Sequence, residues 1–342
     1  MSTTSIEPLI DKRPRIGITI GDAAGIGPEI VLKSISETAL RQKLRPIVIG
    51  DGGVLRSTAE FLGLGVDLSE VGRASGDSVD LVDMKNLEGP VRFGEESAET
   101  GRASGEYIEK AVELWTNGEI DAIATAPISK KALNAGGFDY PGHTEFLADL
   151  TRTPEFAMSF FAGELRVILL STHLSLIDAI ARVTKDNLVK LIQFSDRQLT
   201  ELLKRRVRIA VAGLNPHASE NGMFGGEEAE HIIPAIEYCR DGLRIDVTGP
   251  YAPDTIFLRG HRGEFDAVIA LYHDQATIAV KSLSFGSAVN VTIGLPLIRT
   301  SVDHGTALDI AGKGIADASS MTAAIELAGE LANLNARSAS SR

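Results

Sequence analysis

The chain has 342 residues, 44% of them hydrophobic and 23% charged, and a formal net charge of −12, an ordinary globular balance in a chain long enough for two packed domains. No Lys/Arg-rich run interrupts that acidic balance, which argues against a nucleic-acid partner; an anionic ligand has to be held by local Lys, Arg, His and backbone N–H groups. The single cysteine, Cys239, excludes an internal disulfide, no apolar run reaches the ~18 residues of a membrane span, and residues 1–13 lack a signal-peptide core, so a cytoplasmic protein with no membrane contact is expected.

Residues 1–13 and the Ser/Arg-rich tail Ala336 to Arg342 are expected to be disordered. Arg15 to Ile20 reads as a strand entering Gly21-Asp-Ala-Ala-Gly-Ile-Gly-Pro28, after which Pro28, Glu29 and apolar Ile30, Val31 and Leu32 open a helix. The spacing of Gly21, Gly25 and Gly27 does not fit the dinucleotide fingerprint, and no Gly-Lys-Ser/Thr closes a P-loop. A tight β-to-α turn and a backbone approach to a ligand both remain open. Pro46 to Gly50 reads as a strand, Val54 to Leu64 as a helix and Val79 to Val82 as a short strand. Thr100 to Trp115 has helical spacing, with Tyr107, Ile108, Ala111, Val112 and Leu114 on one broad side. Asp121 to Thr125 is a buried strand; Lys130 and Lys131 beyond it either face a ligand or form the solvated first turn of a helix. Further strands are expected at Arg166 to Ser171, Arg208 to Gly213, Leu243 to Val247 and Ala267 to Leu271. Helices are expected at Asn187 to Leu203, from about Glu227, from the turn Ala252 to Thr255, near Ala307 to Ala311, and from Ser319 to about Leu331. This alternation predicts a mainly parallel sheet, with no visible internal repeat.

Open α/β sheets place ligands just beyond strand ends. His173, His217 and His273 each follow an apolar strand closely, and three imidazoles suit a borderline divalent ion such as zinc. A strand-end histidine is also a common hydrogen-bonding residue, so both readings stand. In Tyr140-Pro-Gly-His-Thr-Glu-Phe146 the Pro-Gly turn leads into a helix that Thr144 is placed to cap. His143 is placed either to hold an anion beside that helix N-terminus or to stand exposed. Lys281, Asn290 and Arg299 follow the His273 strand, and Arg299, in a stiff Gly294 to Ser301 loop, is suited to bidentate contact with carboxylate or phosphate. With His143 and Thr144 they suggest a phosphorylated or carboxylated small substrate, against the alternative of unrelated surface charges. His231 and His261 read as surface residues, and His304 as a cleft residue or a helix cap.

At these residues the sequence resembles the 4-hydroxythreonine-4-phosphate dehydrogenase family of pyridoxal phosphate biosynthesis. The carrying motifs are Gly21 to Glu29, Ala122 to Pro127, Tyr140 to Glu145, Ser171-Thr-His173, Asn215-Pro-His217 with Glu220-Asn-Gly222, Tyr272-His-Asp-Gln275 and Gly294 to Thr306, spread over roughly residues 15–332. The resemblance implies an α/β fold of the isocitrate/isopropylmalate dehydrogenase type, with two α/β/α domains and a cleft between them. The expected division is 15–140 with 300–335 in one domain and 141–299 in the other. It implies a homodimer whose active sites draw on both subunits, with His273 available to complete a partner's site. His173, His217 and His273 match the family's metal ligands; His143, Thr144, Lys281, Asn290 and Arg299 match its substrate-binding positions. NAD or NADP is implied as cofactor, with one divalent ion per site: zinc first, then magnesium, manganese or cobalt. The implied reaction oxidises the C3 alcohol of 4-phosphohydroxythreonine to 2-amino-3-oxo-4-(phosphooxy)butanoate, which loses CO2 to give 3-amino-2-oxopropyl phosphate. Asp254, Asp274 and Lys281 are the candidates for the general base. Two departures stand out: Ala23 where family members commonly have proline, and Ala276 and Ala279 where glycine and then proline are usual. The rivals are a dehydrogenase of 4-phosphothreonate or 4-phosphoerythronate, a phosphate acyltransferase of similar architecture, and a metal-dependent binding protein without turnover.

Overall fold

The computed structural model describes residues 11–73, 78–284 and 286–339; most of the expected N-terminal tail, residues 1–10, lies outside that range. Among the described residues twelve strands form one sheet. They are β1 (Arg15–Thr19), β2 (Arg45–Gly50), β3 (Leu68–Glu70), β4 (Val79–Asp83), β5 (Ala122–Thr125), β6 (Ala157–Ala162), β7 (Leu165–Leu169), β8 (Ile209–Ala212), β9 (Val247–Tyr251), β10 (Ala267–Ala270), β11 (Val289–Ile293) and β12 (Arg299–Ser301). Their spatial order is β3-β4-β2-β1-β5-β12-β11-β6-β7-β10-β8-β9. One half is drawn from residues 15–125 with 299–301, the other from 157–293. Apolar runs such as Ile209–Ala212 and Ala267–Ala270 are fully buried because helices cover both faces of the parallel parts.

The expectation of a mainly parallel sheet holds, with antiparallel pairing confined to β12–β11, β11–β6 and β6–β7. Three successive reversals turn β7, β10, β8 and β9 opposite to β1, β2, β4, β5 and β12. The loop after β1 and the loops after β7, β8 and β10 therefore leave the sheet at opposite edges.

Several expectations are corrected. The strand placed at Leu243 to Val247 is displaced to Val247–Tyr251, because the preceding backbone is used to close a helix end, with the Ile245 amide donating to the Cys239 carbonyl. Gly249 and Pro250 mask this strand in sequence; β9 tolerates them because it is an edge. No helix forms at Ala307 to Ala311: Ala307 has φ +43°, and the segment is a series of turns. The last helix runs Ser319–Ala339, so 336–339 are helical rather than disordered. Asp11 and Arg13 are ion-paired, so the disorder expected of residues 1–13 does not extend through them. Arg299 begins strand β12 instead of lying in a loop. Lys130 and Lys131 open the helix Lys130–Ala135, and Lys131 pairs with Glu96 at 3.1 Å. Ala276 and Ala279 lie inside the unbroken helix His273–Ser284, with Ala276 fully buried against β7 and β10. The glycines after β1 serve packing: a Cβ at Gly21 would stand 2.2 Å from the Pro127 carbonyl oxygen, and one at Gly27 would stand 2.0 Å from that of Ile20. This supports the tight-turn reading of the loop.

A local repeat is also present. The Arg15 amide and Nε both donate to Asp121 Oδ2, at 2.7 and 3.1 Å, where β1 meets β5. Where β8 meets β10, the Arg208 amide and Nε do the same to Asp266 Oδ2, at 2.7 and 3.2 Å. Burial pushes the Asp266 carboxyl up, but hydrogen bonds from Arg205 and Arg208 outweigh it and hold the pKa below the usual carboxylate range. A depressed folded-state pKa means stability that is present at neutral pH and lost on acidification. Asp266→Ala is expected to lower the unfolding free energy by about 2 kcal/mol at pH 7. In urea titrations the gap from wild type should narrow as pH falls below 3.8, the ordinary value for Asp.

Candidate active site

The centre of the sheet carries a polar patch on one face. In the register Asn290 faces Ser301 and Arg299 faces Ile123, so alternation points Asn290, Thr292, Arg299, Ser301 and Thr125 to the same side. Arg299 is 3% exposed. Its Nε and Nη2 donate to Thr125 Oγ1 at 3.2 and 2.9 Å, and its Nη1 donates to Thr292 Oγ1 at 3.1 Å. It has no ion pair among the described residues. Burial pushes its pKa down to about 10, against the pull of Glu145. Thr125 and Thr292 were not singled out from sequence; the available signal was the strand alternation that sets Thr292 two positions from Asn290.

His143 opens the helix His143–Leu150, with Gly142 in the capping position. Thr144 is therefore not a cap; its hydroxyl meets that of Thr292 at 3.3 Å. His143 is buried and its Nε2 has no hydrogen-bond partner. Burial, with Arg299 adding repulsion, holds its pKa well below the ordinary value, so the ring is neutral at pH 7. Asn290 Oδ1 is likewise buried without a partner. A buried guanidinium without an ion pair, beside unfilled polar atoms, has the chemistry to receive an anion, and this patch is termed the anion socket.

His173, His273 and His217 follow β7, β10 and β8, three adjacent parallel strands. The His173 and His273 rings lie 5.9 Å apart. His273 Nδ1 meets Asp274 Oδ1 at 2.7 Å, which orients the ring and leaves Nε2 as its other donor atom. His217 stands apart from this pair, its ring 6.3 Å from that of Phe224. Among the described residues no three His, Cys, Asp or Glu side chains are close enough to hold a metal ion. The donor chemistry of the histidine set fits a divalent cation, but the third imidazole has to move, or be matched by another subunit, to complete it. A cavity of about 500 Å3 is lined by Thr144, Glu145, His173, Arg182 and Lys190, and so runs from Thr144, the neighbour of Thr292, to His173. Lys281, in the last turns of the helix that His273 begins, lies about 12 Å along its axis from His273. It reaches Asp303 Oδ2 at 3.6 Å. Asp254 is exposed in the first turn of the helix Pro253–His261. His231 and His261, expected at the surface, are half-buried; His304 is exposed against the Gly305 carbonyl and caps no helix.

The family model described as Pyridoxal phosphate biosynthetic protein PdxA matches residues 42–328. The chain belongs to this family. A D-threonate 4-phosphate dehydrogenase of Cupriavidus necator is 47% identical over 332 residues, covering 95% of this chain and 99% of that protein. A 4-hydroxythreonine-4-phosphate dehydrogenase of Desulfosudis oleivorans is 44% identical over 329 residues, covering 93% and 96%. The crystal structure of a 4-hydroxythreonine-4-phosphate dehydrogenase from Burkholderia phymatum superposes with a TM-score of 0.82 at 46% identity, covering 93% of this chain and 98% of that one. The PdxA-family chain is thus an enzyme of the oxidoreductase class, with the expected α/β fold. No helix among the described residues is long and apolar enough to cross a membrane.

Two outcomes are expected of the socket. Arg299→Met should raise the unfolding free energy by about 1–3 kcal/mol, since an unpaired buried charge is removed, while kcat/KM falls at least about 100-fold; urea unfolding and steady-state kinetics check both. His143, neutral when folded, contributes stability above its unfolded pKa that is lost as pH falls through it. His143→Gln should therefore flatten the decline in stability between pH 6.5 and 5, which for one such group reaches about 1.4 kcal/mol per pH unit.

Proposed function

We propose that the chain oxidises the C3 hydroxyl of a four-carbon acid phosphorylated at C4, with NAD or NADP as acceptor, and that the resulting β-keto acid loses CO2. The observation that carries this reading is the buried Arg299 with no ion pair among the described residues, hydrogen-bonded to Thr292, whose hydroxyl meets that of Thr144 in the lining of the cavity that also holds His173. D-threonate 4-phosphate is the first substrate and 4-hydroxythreonine 4-phosphate the second, following the names of the relatives at 47% and 44% identity. The two differ only at C2, hydroxyl against amino group, so one phosphate and carboxylate grip serves both.

His143, Thr144, Lys281, Asn290 and Arg299 hold the two anionic ends, which fixes C3 for reaction. Arg299 meets its anion without reorganising, because Thr125 and Thr292 already hold the guanidinium plane. Neutral His143 donates or accepts one hydrogen bond there without adding charge. When bound, a divalent ion at His173, His217 and His273 supplies Lewis acidity, and the nicotinamide supplies the hydride acceptor. The hydroxyl proton passes to a base drawn from Lys281, Asp254 and Asp274. Carbon balance then gives dihydroxyacetone phosphate from the first substrate and 3-amino-2-oxopropyl phosphate from the second.

The two sheet halves are the cores of the two domains expected at 15–140 with 300–335 and at 141–299. The working form is a cytoplasmic homodimer. Its support is apolar surface beside His173: Leu174, Leu176, Ile177 and Ile180 are 44%, 59%, 81% and 39% exposed.

Purified protein is expected to form NAD(P)H from D-threonate 4-phosphate faster than from 4-hydroxythreonine 4-phosphate, and to stop in excess chelator. Coenzyme A-dependent acyl transfer without NAD(P)H would instead place it with the phosphate acyltransferases. His217→Ala is expected to lower the metal content measured by elemental analysis while leaving the circular dichroism spectrum intact.

A further inference from the structure

The helix His273–Ser284 lies on the face of the sheet that carries the anion socket. Its buried Ala276 and Val280 share an apolar cluster with Phe160 of β6. Phe160 is the register partner of Asn290, and residues directly opposed in antiparallel strands project to one face. The helix therefore forms a wall of the socket on the side of the second half, and its last turns carry Lys281.

Lys281 reaches from that wall to the first half. Its Nζ stands 3.6 Å from Asp303 Oδ2, and Asp303 lies two residues beyond Ser301, the register partner of Asn290. The ion pair thus crosses between the halves beside the socket. Asp303 is only loosely answered. Its other oxygen accepts from Ser320 Oγ at 3.4 Å, and both contacts are at the long end of their range. The Asp303 side chain is 13% exposed and that of Lys281 58% exposed. The carboxylate is therefore enclosed by its surroundings, whereas the ammonium stands in solvent on a four-carbon stem that can swing to another partner. Against the burial that lowers the Arg299 pKa, the carboxylate that pulls on it is that of Glu145. Asp303 meets the cationic set through Lys281.

We propose that Asp303 is a positioning residue that holds Lys281 between the two halves and competes with an entering anion for it. The Asp303 carboxylate is the chemical counterpart of the anionic oxygens that a carboxylate or phosphate ligand brings. A phosphate dianion attracts the ammonium more strongly than a singly charged carboxylate at the same distance, so the lysine changes partner when the phosphate arrives. The ion pair between the halves is then replaced by a contact to the ligand. Asp303 touches no substrate in this scheme, and the proposal rests on the reading of Lys281 and Arg299 as the cations of the anion grip.

The test is calorimetric titration of the full-length protein with inorganic phosphate, at neutral pH and fixed ionic strength, for wild type, Asp303→Asn, Lys281→Met and the double variant. Asp303→Asn is expected to tighten phosphate binding about three- to fivefold, because the competing carboxylate is gone. A merely structural role would weaken it. Lys281→Met is expected to weaken binding at least about tenfold. The double variant is expected to lie within about 1.5-fold of Lys281→Met, because Asp303 acts on the anion only through Lys281. Asp303→Ser serves, with the same expectations, if Asp303→Asn does not fold. Unchanged or weaker phosphate binding in the Asp303 variant, or the same tightening in the Lys281→Met background, would overturn the competition. Undetectable phosphate binding by wild type, or unchanged affinity in Lys281→Met, would instead remove the anion grip beneath the proposal, and the proposal with it.

Discussion

A guanidinium buried in the middle of a sheet, hydrogen-bonded to two threonine hydroxyls and ion-paired to no carboxylate among the described residues, is the constraint on which the rest of the site depends. Such a group is unfavourable in isolation. Arg299 is retained there because β5, β12 and β11 place Thr125, Arg299 and Thr292 in register on one face. The helix His143–Leu150 then sets Thr144 and a neutral His143 beside it. On the proposed function, the stability given up there leaves a prepared, desolvated place for an anion. That exchange between stability and function is common where binding energy must be concentrated.

The three antiparallel pairings at the centre do more than close the sheet. By reversing the strand direction they give each half its own ligand-facing edge, and they keep the anion socket on the strands where the halves meet. The histidines belong to the second half, beyond β7, β10 and β8. Their common edge follows from parallel pairing, and beyond the ladder the strand ends are tied by buried hydrogen bonds of Ser171, Gln275 and Glu228. The repeated Arg–Asp clamp, Arg15 with Asp121 and Arg208 with Asp266, pins the opposite end of a parallel strand pair in each half. Local sequence marks it in both places, as Glu119-Ile-Asp-Ala-Ile-Ala124 and Glu264-Phe-Asp-Ala-Val-Ile-Ala270.

Much of the fold was legible in the sequence. Strands β8 and β10 are wholly apolar runs and β1, β2, β5 and β7 largely apolar ones, because a strand covered on both faces has no reason to alternate. β6 and β11 were not legible. Asn290 and Thr292 interrupt the apolar pattern of β11 on the face that carries Arg299, whereas Ser159 in β6 pairs with Val291 and points to the opposite face. β9 was displaced by its Gly249-Pro250, and a helix was expected where Ala307 takes a left-handed turn. In each case a local signal was outweighed by a contact distant in sequence.

The sequence by itself determined the family, the alternating α/β order and the residue types of the site: strand-end histidines, a basic and amide set, and a histidine beside a helix N-terminus. These are local properties, written in periodicity and in motif spacing. Only the tertiary structure decided that Arg299 is buried without an ion pair among the described residues, that Thr125 and Thr292 hold it, and that His173 and His273 are neighbours while His217 completes no group with them. Those facts depend on which strands lie side by side and in which direction. Strand pairing is fixed by burial summed over the whole sheet, and no single stretch of the chain carries it.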